Sequence, residues 1–237
     1  MISVNDLIAS IDEIFPYAYI AAEKVSRILE GKEISPVIPT LPTLQNLKSE
    51  EKSEEFKKLE LQGIYIFKMI LGGDEAVGKT SLVNTFITGE FQKDYKSTIG
   101  TAIMKKECKF QGWDAIIRFI IWDLAGQKQF KKVRQSYLTE AKAGFIVYDV
   151  TRPETFNSIK NWYIEIKEFA ATDIKLMLIG NKIDLINERK VSKEQGESLA
   201  KELGIPYFET SALNKDIVEE AFKLLAFELV RDKIQVK

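Results

Sequence analysis

The segment from Gly73 to Thr80 has residue types and a spacing that suit phosphate binding. It reads Gly-Asp-Glu-Ala-Val-Gly-Lys-Thr, fits the pattern G-x-x-x-x-G-K-[ST], and follows an apolar run. Successive backbone N–H groups that open a helix N-terminus make a concave site for anions. Gly73 and Gly78 permit backbone angles and a close approach that a side chain would block. We therefore expect the Lys79 ammonium to reach β- and γ-phosphates and the Thr80 hydroxyl to bind Mg²⁺.

A second group of polar residues follows the apolar run 115–122. Asp123 comes directly after that run, where a carboxylate can bind Mg²⁺, directly or through water, beside a phosphate loop. Gly126 offers an unobstructed N–H for a γ-phosphate, and Gln127 could orient an attacking water. Taken alone, Asp123 could equally be a turn or cap residue, but downstream of a phosphate loop we favour the metal-binding interpretation.

The elements that must position these residues follow from the hydrophobic pattern. Apolar runs predict buried strands at Ile64–Leu71, Gly144–Tyr148 and Leu176–Ile179. Two sets of apolar residues recur at helical spacing: Phe156, Ile159, Trp162, Tyr163, Ile166 and Phe169, and then Val218, Phe222, Leu225 and Leu229. The segments 103–110 and 115–122 flank a turn and predict a hairpin. This alternation predicts an α/β fold with a largely parallel sheet, helices on both faces and one antiparallel edge strand.

Upstream of these elements the sequence changes character. Residues 1–31 alternate apolar and polar groups at helical spacing and predict a helical N-terminal extension. Residues 32–62 predict a linker, first proline-containing and then densely charged, and residues 63–237 are the predicted main domain. Three interpretations of the extension stay open: it packs on its own domain, binds a partner or second copy, or lies on a membrane as an amphipathic helix. We favour the first two because the extension has acidic residues and few lysines.

Composition excludes several classes of protein. The 237 residues contain 34 Lys and Arg against 35 Asp and Glu, which argues against an extended nucleic-acid-binding surface. The single cysteine, Cys108, excludes an intramolecular disulfide and suits a reducing compartment. The absence of histidine removes the commonest general base. Because there is no apolar run of roughly 20 residues, no signal-peptide pattern and no C-terminal cysteine to prenylate, we expect a cytoplasmic protein without a lipid anchor.

Five motifs occur in a fixed order along the chain. They are the segment 73–80, Thr98-Ile99-Gly100, Asp123-Leu124-Ala125-Gly126-Gln127, Asn181-Lys182-Ile183-Asp184 and Glu209-Thr210-Ser211-Ala212-Leu213. Through these motifs the chain from residue 64 onward resembles the small GTPases of the Ras superfamily, most of all the Rab-like branch. The resemblance implies a P-loop NTPase three-layer fold with a mostly parallel six-stranded sheet.

The resemblance also implies roles for residues around the phosphates. Thr98 should bind Mg²⁺ through its hydroxyl in the GTP state, so that the metal ligands are Thr80, Thr98 and Asp123. The implied catalytic residues are Gln127, Lys79, Thr98 and Gly126. Further nucleotide contacts are implied for Gly73, Asp74, Glu75, Ala76, Val77, Gly78, Ser81 and Tyr95, the last of which can close over the phosphates.

A guanine site is implied in the same way. Asp184 should accept hydrogen bonds from guanine N1 and N2, donors that adenine lacks in that arrangement, so that adenine would leave a buried carboxylate unpaired. Asn181 should contact the base edge and bridge loops, and the stem of Lys182 should lie along the base and sugar. The Ala212 N–H should contact guanine O6. The remaining implied base-site residues are Phe91, beside the base, and Ser211 and Leu213, which shape the loop.

These roles imply a molecular switch that binds GDP or GTP with Mg²⁺. Hydrolysis should be slow, on the order of 10⁻⁴ to 10⁻² s⁻¹, because segment 88–98 has no arginine to act as an internal arginine finger. Effector, exchange-factor and activating proteins would read or control the two states. The alternative is a guanine-nucleotide-binding scaffold with little or no hydrolysis, whereas Asp184 and Ala212 disfavour an ATPase.

Two positions in the phosphate loop depart from the family pattern. Glu75 stands where glycine or serine is common, and Ala76 stands where glycine is frequent. A γ-phosphate would repel the Glu75 carboxylate unless the side chain turns to solvent or pairs with a lysine. Two interpretations stay open: Glu75 weakens hydrolysis or blocks an arginine finger from a partner, or it is a solvated side chain that points away.

Overall fold

The computed structural model of the chain describes residues 59–60, 62–91, 98, 101–109, 114–126, 131–231 and 235–236. The predicted extension 1–31 and most of the linker 32–62 lie outside these residues, so both stay predictions. Two short strands, β1 (Leu59–Glu60) and β8 (Gln235–Val236), pair with each other antiparallel in a unit of their own. Within the described ranges, no helix has the length and apolar character needed to cross a membrane.

The main unit contains a sheet of six described strands. These are β2 (Gln62–Gly72), β3 (Thr101–Lys109), β4 (Asp114–Leu124), β5 (Ala143–Asp149), β6 (Lys175–Asn181) and β7 (Tyr207–Thr210). Their spatial order is β3-β4-β2-β5-β6-β7, and only β3 and β4 pair antiparallel. The predicted mostly parallel sheet, its antiparallel edge strand and the hairpin are therefore confirmed.

Six helices accompany these strands in the described part of the chain. They are α1 (Lys79–Thr88), α2 (Lys131–Leu138), α3 (Pro153–Asn157), α4 (Ile159–Phe169), α5 (Lys193–Leu203) and α6 (Lys215–Val230). Ser192 and Gln195 form a capping box at the start of α5, and the Asn214 side chain caps α6. The helical period predicted across 156–169 is divided between α3 and α4 at Ser158.

The core lies on both faces of the sheet. Phe222 of α6 meets Phe145 of β5 edge-on, with ring centroids 4.9 Å apart. Leu71 of β2 pairs in register with Phe145 and shares its face, so the next residue, Gly72, faces the other side. On that side a Cβ on Gly72 would lie 2.8 Å from Cδ1 of Ile166 in α4. Helices therefore cover both faces, as predicted.

The carboxyl ends of the parallel strands collect the polar residues of interest. β2 leads into the phosphate loop, and Asp123 stands at the end of β4. β5, β6 and β7 end at Asp149, Asn181 and Thr210. Strand β2 lies between β4 and β5. The strands that follow β2 in sequence first add to one side of it, as β3 and β4, and then to the other side, as β5, β6 and β7. Ligands bind at such a switch point in open α/β sheets, which makes this edge the place to look for a site.

Candidate functional site

The phosphate loop needs glycine at both ends. Gly73 has φ +137°, and a Cβ there would collide with the backbone carbonyl oxygen of Val147 in β5. Gly78, the N-cap of α1, has φ +98°, and a Cβ there would collide with the side-chain amide nitrogen of Asn181. Both positions combine a left-handed backbone with a close approach to another strand, which only glycine tolerates.

Lys79 is fixed inside this loop. Its side chain is buried, and its Nζ donates to the carbonyl oxygens of Gly73 and Asp74, each at 2.7 Å. Burial lowers the pKa of Lys79 to about 8, while the nearby Asp123 carboxylate opposes that shift. Lys79 lines a cavity whose other lining residues are Glu75, Ala76, Gly78, Thr80, Thr98, Leu124 and Gly126.

Three oxygen-bearing side chains converge beside Lys79. Thr80 Oγ1 donates to Asp123 Oδ2 at 2.5 Å and lies 2.7 Å from Thr98 Oγ1. Asp123 is buried, and its Oδ1 has no hydrogen-bond partner among the described residues. Burial raises the pKa of this carboxyl, against hydrogen bonds from Thr80 and Thr98 and the charge of Lys79. An orphaned buried carboxylate oxygen beside two hydroxyls fits Mg²⁺, which prefers oxygen ligands.

Gly126 packs directly on the phosphate loop. A Cβ on Gly126 would lie 2.5 to 2.6 Å from backbone atoms of Asp74 and Glu75. Arg134 of α2, a buried residue, donates from Nη1 to the carbonyl oxygen of Ala125 at 3.2 Å. Because the peptide unit is planar and trans, fixing the Ala125 carbonyl also fixes the direction of the Gly126 N–H. Sequence reasoning selected Gly126 but missed Arg134.

Trp162 of α4 connects the phosphate loop to α2. Its indole Nε1 donates to Asp74 Oδ1 at 2.8 Å. The Arg134 guanidinium lies over the indole ring, 4.3 Å from its centroid. From the sequence, Trp162 was visible only as one of the apolar residues at helical spacing. Because a buried tryptophan usually finds a hydrogen-bond acceptor for its indole N–H, a polar contact of Trp162 could have been expected.

Asn181 connects the predicted guanine-site segments to the phosphate loop. The side chain is fully buried, and its Nδ2 donates to the Val77 carbonyl oxygen at 2.8 Å. Its Oδ1 accepts a hydrogen bond from Thr210 Oγ1 at 3.0 Å. One amide thus ties the phosphate loop to the ends of β6 and β7, while the contact of Asn181 with a base edge stays a prediction.

Asp184 is oriented by the loop after β7. Its Oδ1 accepts from Ser211 Oγ at 2.5 Å, and Ser211 Oγ in turn accepts from the Leu213 N–H at 3.2 Å. Thr85 of α1 donates from Oγ1 to the Ala212 carbonyl oxygen at 2.7 Å. These contacts bring Asp184, Ser211, Ala212 and Leu213 together in one part of the site.

Asp149 is a site residue that sequence reasoning missed. Lys182, which has φ +70°, places Nζ 2.7 Å from Asp149 Oδ2. Asp149 Oδ1 accepts from both the N–H and the Oγ1 of Thr151. Burial alone would raise the pKa of Asp149, but the hydrogen bonds from Lys182 and Thr151 outweigh it and lower the pKa below its usual range. The carboxylate therefore anchors the end of the Lys182 side chain, whose stem is predicted to lie along the base.

Five predicted residues are placed less completely. Gln127 and Tyr95 lie outside the described residues, so their roles stay predictions. Phe91 follows α1 with a partly exposed side chain, and Ser81 lies in the first turn of α1. Glu75 has an exposed side chain at the edge of the cavity, and both interpretations of it stay open.

Known proteins share the sequence around this site. The model of the Ras family matches residues 68–231. The chain is 41% identical over 161 residues to the Ras-related protein RABA6a of Arabidopsis thaliana, which covers 68% of both proteins. It is also 41% identical to the Ras-related proteins RIC1 of Oryza sativa subsp. japonica and Rab-8B of Homo sapiens, over 70% of this chain and 81% and 79% of those relatives. Because the family match spans well over half of the chain, the protein belongs to the Ras family and is a Rab-like small GTPase.

Proposed function

We propose that the protein is a molecular switch that binds GDP or GTP together with Mg²⁺, hydrolyses GTP slowly and presents its GTP state to effector proteins. The supporting observation is a single cavity that Lys79, Thr80, Thr98 and Gly126 line together. Thr80 also donates a hydrogen bond to the Asp123 carboxylate. The Lys79 ammonium, which would bind phosphate, thus lies beside the side-chain oxygens of Thr80, Thr98 and Asp123, which would bind the metal. Phosphoryl transfer depends mainly on such positioning and charge stabilisation.

The chain's own groups would act on the γ-phosphate as follows. The Lys79 ammonium binds β- and γ-phosphate oxygens and stabilises the charge that spreads over them in the transition state. The Gly126 N–H donates to the γ-phosphate, and Gln127 orients the attacking water. Thr80, Thr98 and Asp123 would hold Mg²⁺, which when bound neutralises phosphate charge.

Selection of guanine would depend on Asp184. Ser211 orients this carboxylate through a 2.5 Å hydrogen bond, so the acceptor is fixed before a base arrives. A site built around a fixed acceptor rejects a base that cannot donate to it, because the carboxylate would then stay unpaired. We propose that this is how the protein distinguishes GTP from ATP.

The switch itself would involve Thr98. Its hydroxyl lies 2.7 Å from Thr80 Oγ1 and 3.4 Å from Asp123 Oδ2. Loss of the γ-phosphate would release Thr98 from this cluster and change the surface that partners read. We expect exchange factors and activating proteins to act on the same cluster. The lone cysteine fits a reducing compartment, and we propose a cytoplasmic location.

A single-turnover assay tests this function. Protein loaded with radiolabelled GTP in Mg²⁺ buffer should release phosphate at a rate on the order of 10⁻⁴ to 10⁻² s⁻¹. Gln127→Ala should slow the release, whereas Arg118→Ala should leave it unchanged. Arg118 is a suitable control because it pairs with Glu107 in the β3–β4 hairpin. Bound GTP that stays intact would favour the scaffold alternative over the switch.

A further inference from the structure

Ala76 adopts a backbone conformation that L-residues rarely take. Its φ is +60°, in the left-handed region, where a Cβ is unfavourable and glycine is not. Ala76 also lines the cavity that contains Lys79 and Thr80. The sequence therefore has a strained residue at the position where a glycine would be comfortable, next to the proposed phosphate site. Such strain persists only where surrounding contacts impose it.

Arg152 supplies a contact of this kind. Its Nη2 donates to the Glu75 carbonyl oxygen at 2.9 Å, across 77 positions of sequence. Its Nε donates to Asp149 Oδ2 at 3.1 Å, and Asp149 is buried. The guanidinium is thus anchored at one end on β5 and bound at the other to the carbonyl that directly precedes Ala76.

The hydrogen bond from Arg152 to the Glu75 carbonyl also fixes the orientation of the Ala76 N–H. The Glu75 C=O and the Ala76 N–H belong to one planar trans peptide and point in opposite directions. Arg152 is not one of the described residues that line the cavity, whereas Ala76 is. Because Arg152 binds the Glu75 carbonyl, the Ala76 N–H points away from Arg152, on a residue that lines the cavity, where a phosphate would accept it.

We propose that Arg152 is a positioning residue for phosphate binding, which fixes the left-handed Ala76 peptide so that its N–H donates to the terminal phosphates of the nucleotide. This inference rests on the proposed function. It differs from an arginine finger, because Arg152 acts through the main chain and makes no contact of its own with phosphate. It also explains why Ala76 is tolerated where glycine is expected.

Three nucleotides separate phosphate positioning from general stability. Arg152→Ala should weaken binding of GDP and of a non-hydrolysable GTP analogue about tenfold, which corresponds to one hydrogen bond to a charged group. Binding of GMP, measured by competition, should change less than about twofold, because GMP has no β- or γ-phosphate. An equal loss for all three nucleotides would overturn the proposal, and so would no loss for any.

A double-mutant cycle tests the link to Ala76. In an Ala76→Gly background, Arg152→Ala should weaken GDP binding less than about threefold, because glycine adopts this conformation without strain. The same tenfold loss in both backgrounds would show that Arg152 does not act through Ala76. Arg118→Ala, which removes an arginine paired with the Glu107 carboxylate away from the cavity, should leave all affinities unchanged.

Two safeguards make the outcome decisive. If Arg152→Ala does not fold, Arg152→Lys replaces it: a lysine keeps the charge but lacks the fork that binds Asp149 and the Glu75 carbonyl together. That variant should show the same selective loss for GDP and the GTP analogue, and an unselective loss would overturn the proposal. If the wild-type protein binds no guanine nucleotide at all, the proposed function fails. If the wild type binds guanine nucleotides and Arg152→Ala binds them equally well, only the role proposed for Arg152 fails.

Discussion

Arg134 of α2 and Glu165 of α4 form a nearly buried ion pair. Arg134 Nε lies 3.3 Å from Glu165 Oε1, and the two side chains are 6% and 11% exposed. The same guanidinium covers Trp162 and donates to the Ala125 carbonyl. One arginine therefore joins α2, α4 and the residue before Gly126. Removing one partner of a buried pair leaves the other charge without compensation.

Arg134→Ala should therefore be strongly destabilising. We expect its free energy of unfolding to fall by about 3 to 5 kcal/mol, because Glu165 stays buried without its counter-ion. Arg118→Ala removes a more exposed pair with Glu107 and should cost less than about 1 kcal/mol. Urea unfolding of both variants at one nucleotide concentration measures the two values. Similar losses in the two variants would contradict the importance assigned to the buried pair.

Gly126→Ala should impair hydrolysis. The new Cβ would meet Asp74 and Glu75 backbone atoms at 2.5 to 2.6 Å, and backbone yields less readily than a flexible side chain. We expect single-turnover hydrolysis to slow about tenfold or more, which corresponds to at least about 1.4 kcal/mol. Gly204→Ala is the control for the close contact: Gly204 has φ +65°, which strains a side chain, but no atom lies within 4 Å of the new Cβ. It should lower stability slightly and leave hydrolysis unchanged.

Asp123→Asn should remove the dependence of nucleotide binding on Mg²⁺. An amide is a weaker metal ligand than a carboxylate, and Asp123 has the orphaned oxygen that fits the metal. Chelation with EDTA should speed GDP release from the wild type at least tenfold, whereas release from the variant should be fast already and change less than about twofold. Asp173→Asn, at an exposed pair with Lys142, should behave as the wild type. A large EDTA effect in Asp123→Asn would count against this metal site.

Cys108 should be nearly inert to alkylation in the native state. Burial raises the pKa of its thiol from 9.0 to about 11, so the thiolate fraction at pH 8 falls about 100-fold. We expect iodoacetamide at pH 8 to modify native protein at least about 100-fold more slowly than protein unfolded in urea. The native rate should increase about tenfold per pH unit up to pH 10. Native and unfolded rates within tenfold of each other would mean that the thiol is not buried as described.

The parts predicted from sequence are those with a local pattern. The strands at 144–148 and 176–179 were visible as apolar runs because parallel strands are covered on both faces. The prediction of a buried strand at 64–71 is correct only for its end, since Ile64 and Ile66 are 57% and 58% exposed. The phosphate loop was visible because its glycines and Lys79 occur at fixed spacing within eight residues. A further adjustment is the division of the 156–169 period at Ser158 into α3 and α4. Apolar spacing alone does not report such a break.

The parts missed depend on contacts between distant segments. Asp74 and Trp162 are 88 positions apart, and the Arg152–Glu75 contact spans 77. No periodicity or motif indicates which charged side chain turns toward which carbonyl, because that depends on the final packing of α2, α4 and the loop after β5. Asp149 offered the clearest available signal, since a carboxylate at the end of a buried strand needs partners.

Selective binding of guanine nucleotides tests the central claim most directly. Unlabelled GTP and ATP should be compared as competitors of labelled GDP in Mg²⁺ buffer, with the wild type and Asp184→Ala. For the wild type we predict that GTP competes at a concentration roughly 10⁴-fold lower than ATP, as for sites built to hydrogen-bond one substrate. For Asp184→Ala we predict that this ratio falls to about tenfold or less. A wild type that does not distinguish the two nucleotides, or a variant that distinguishes them fully, would contradict the account.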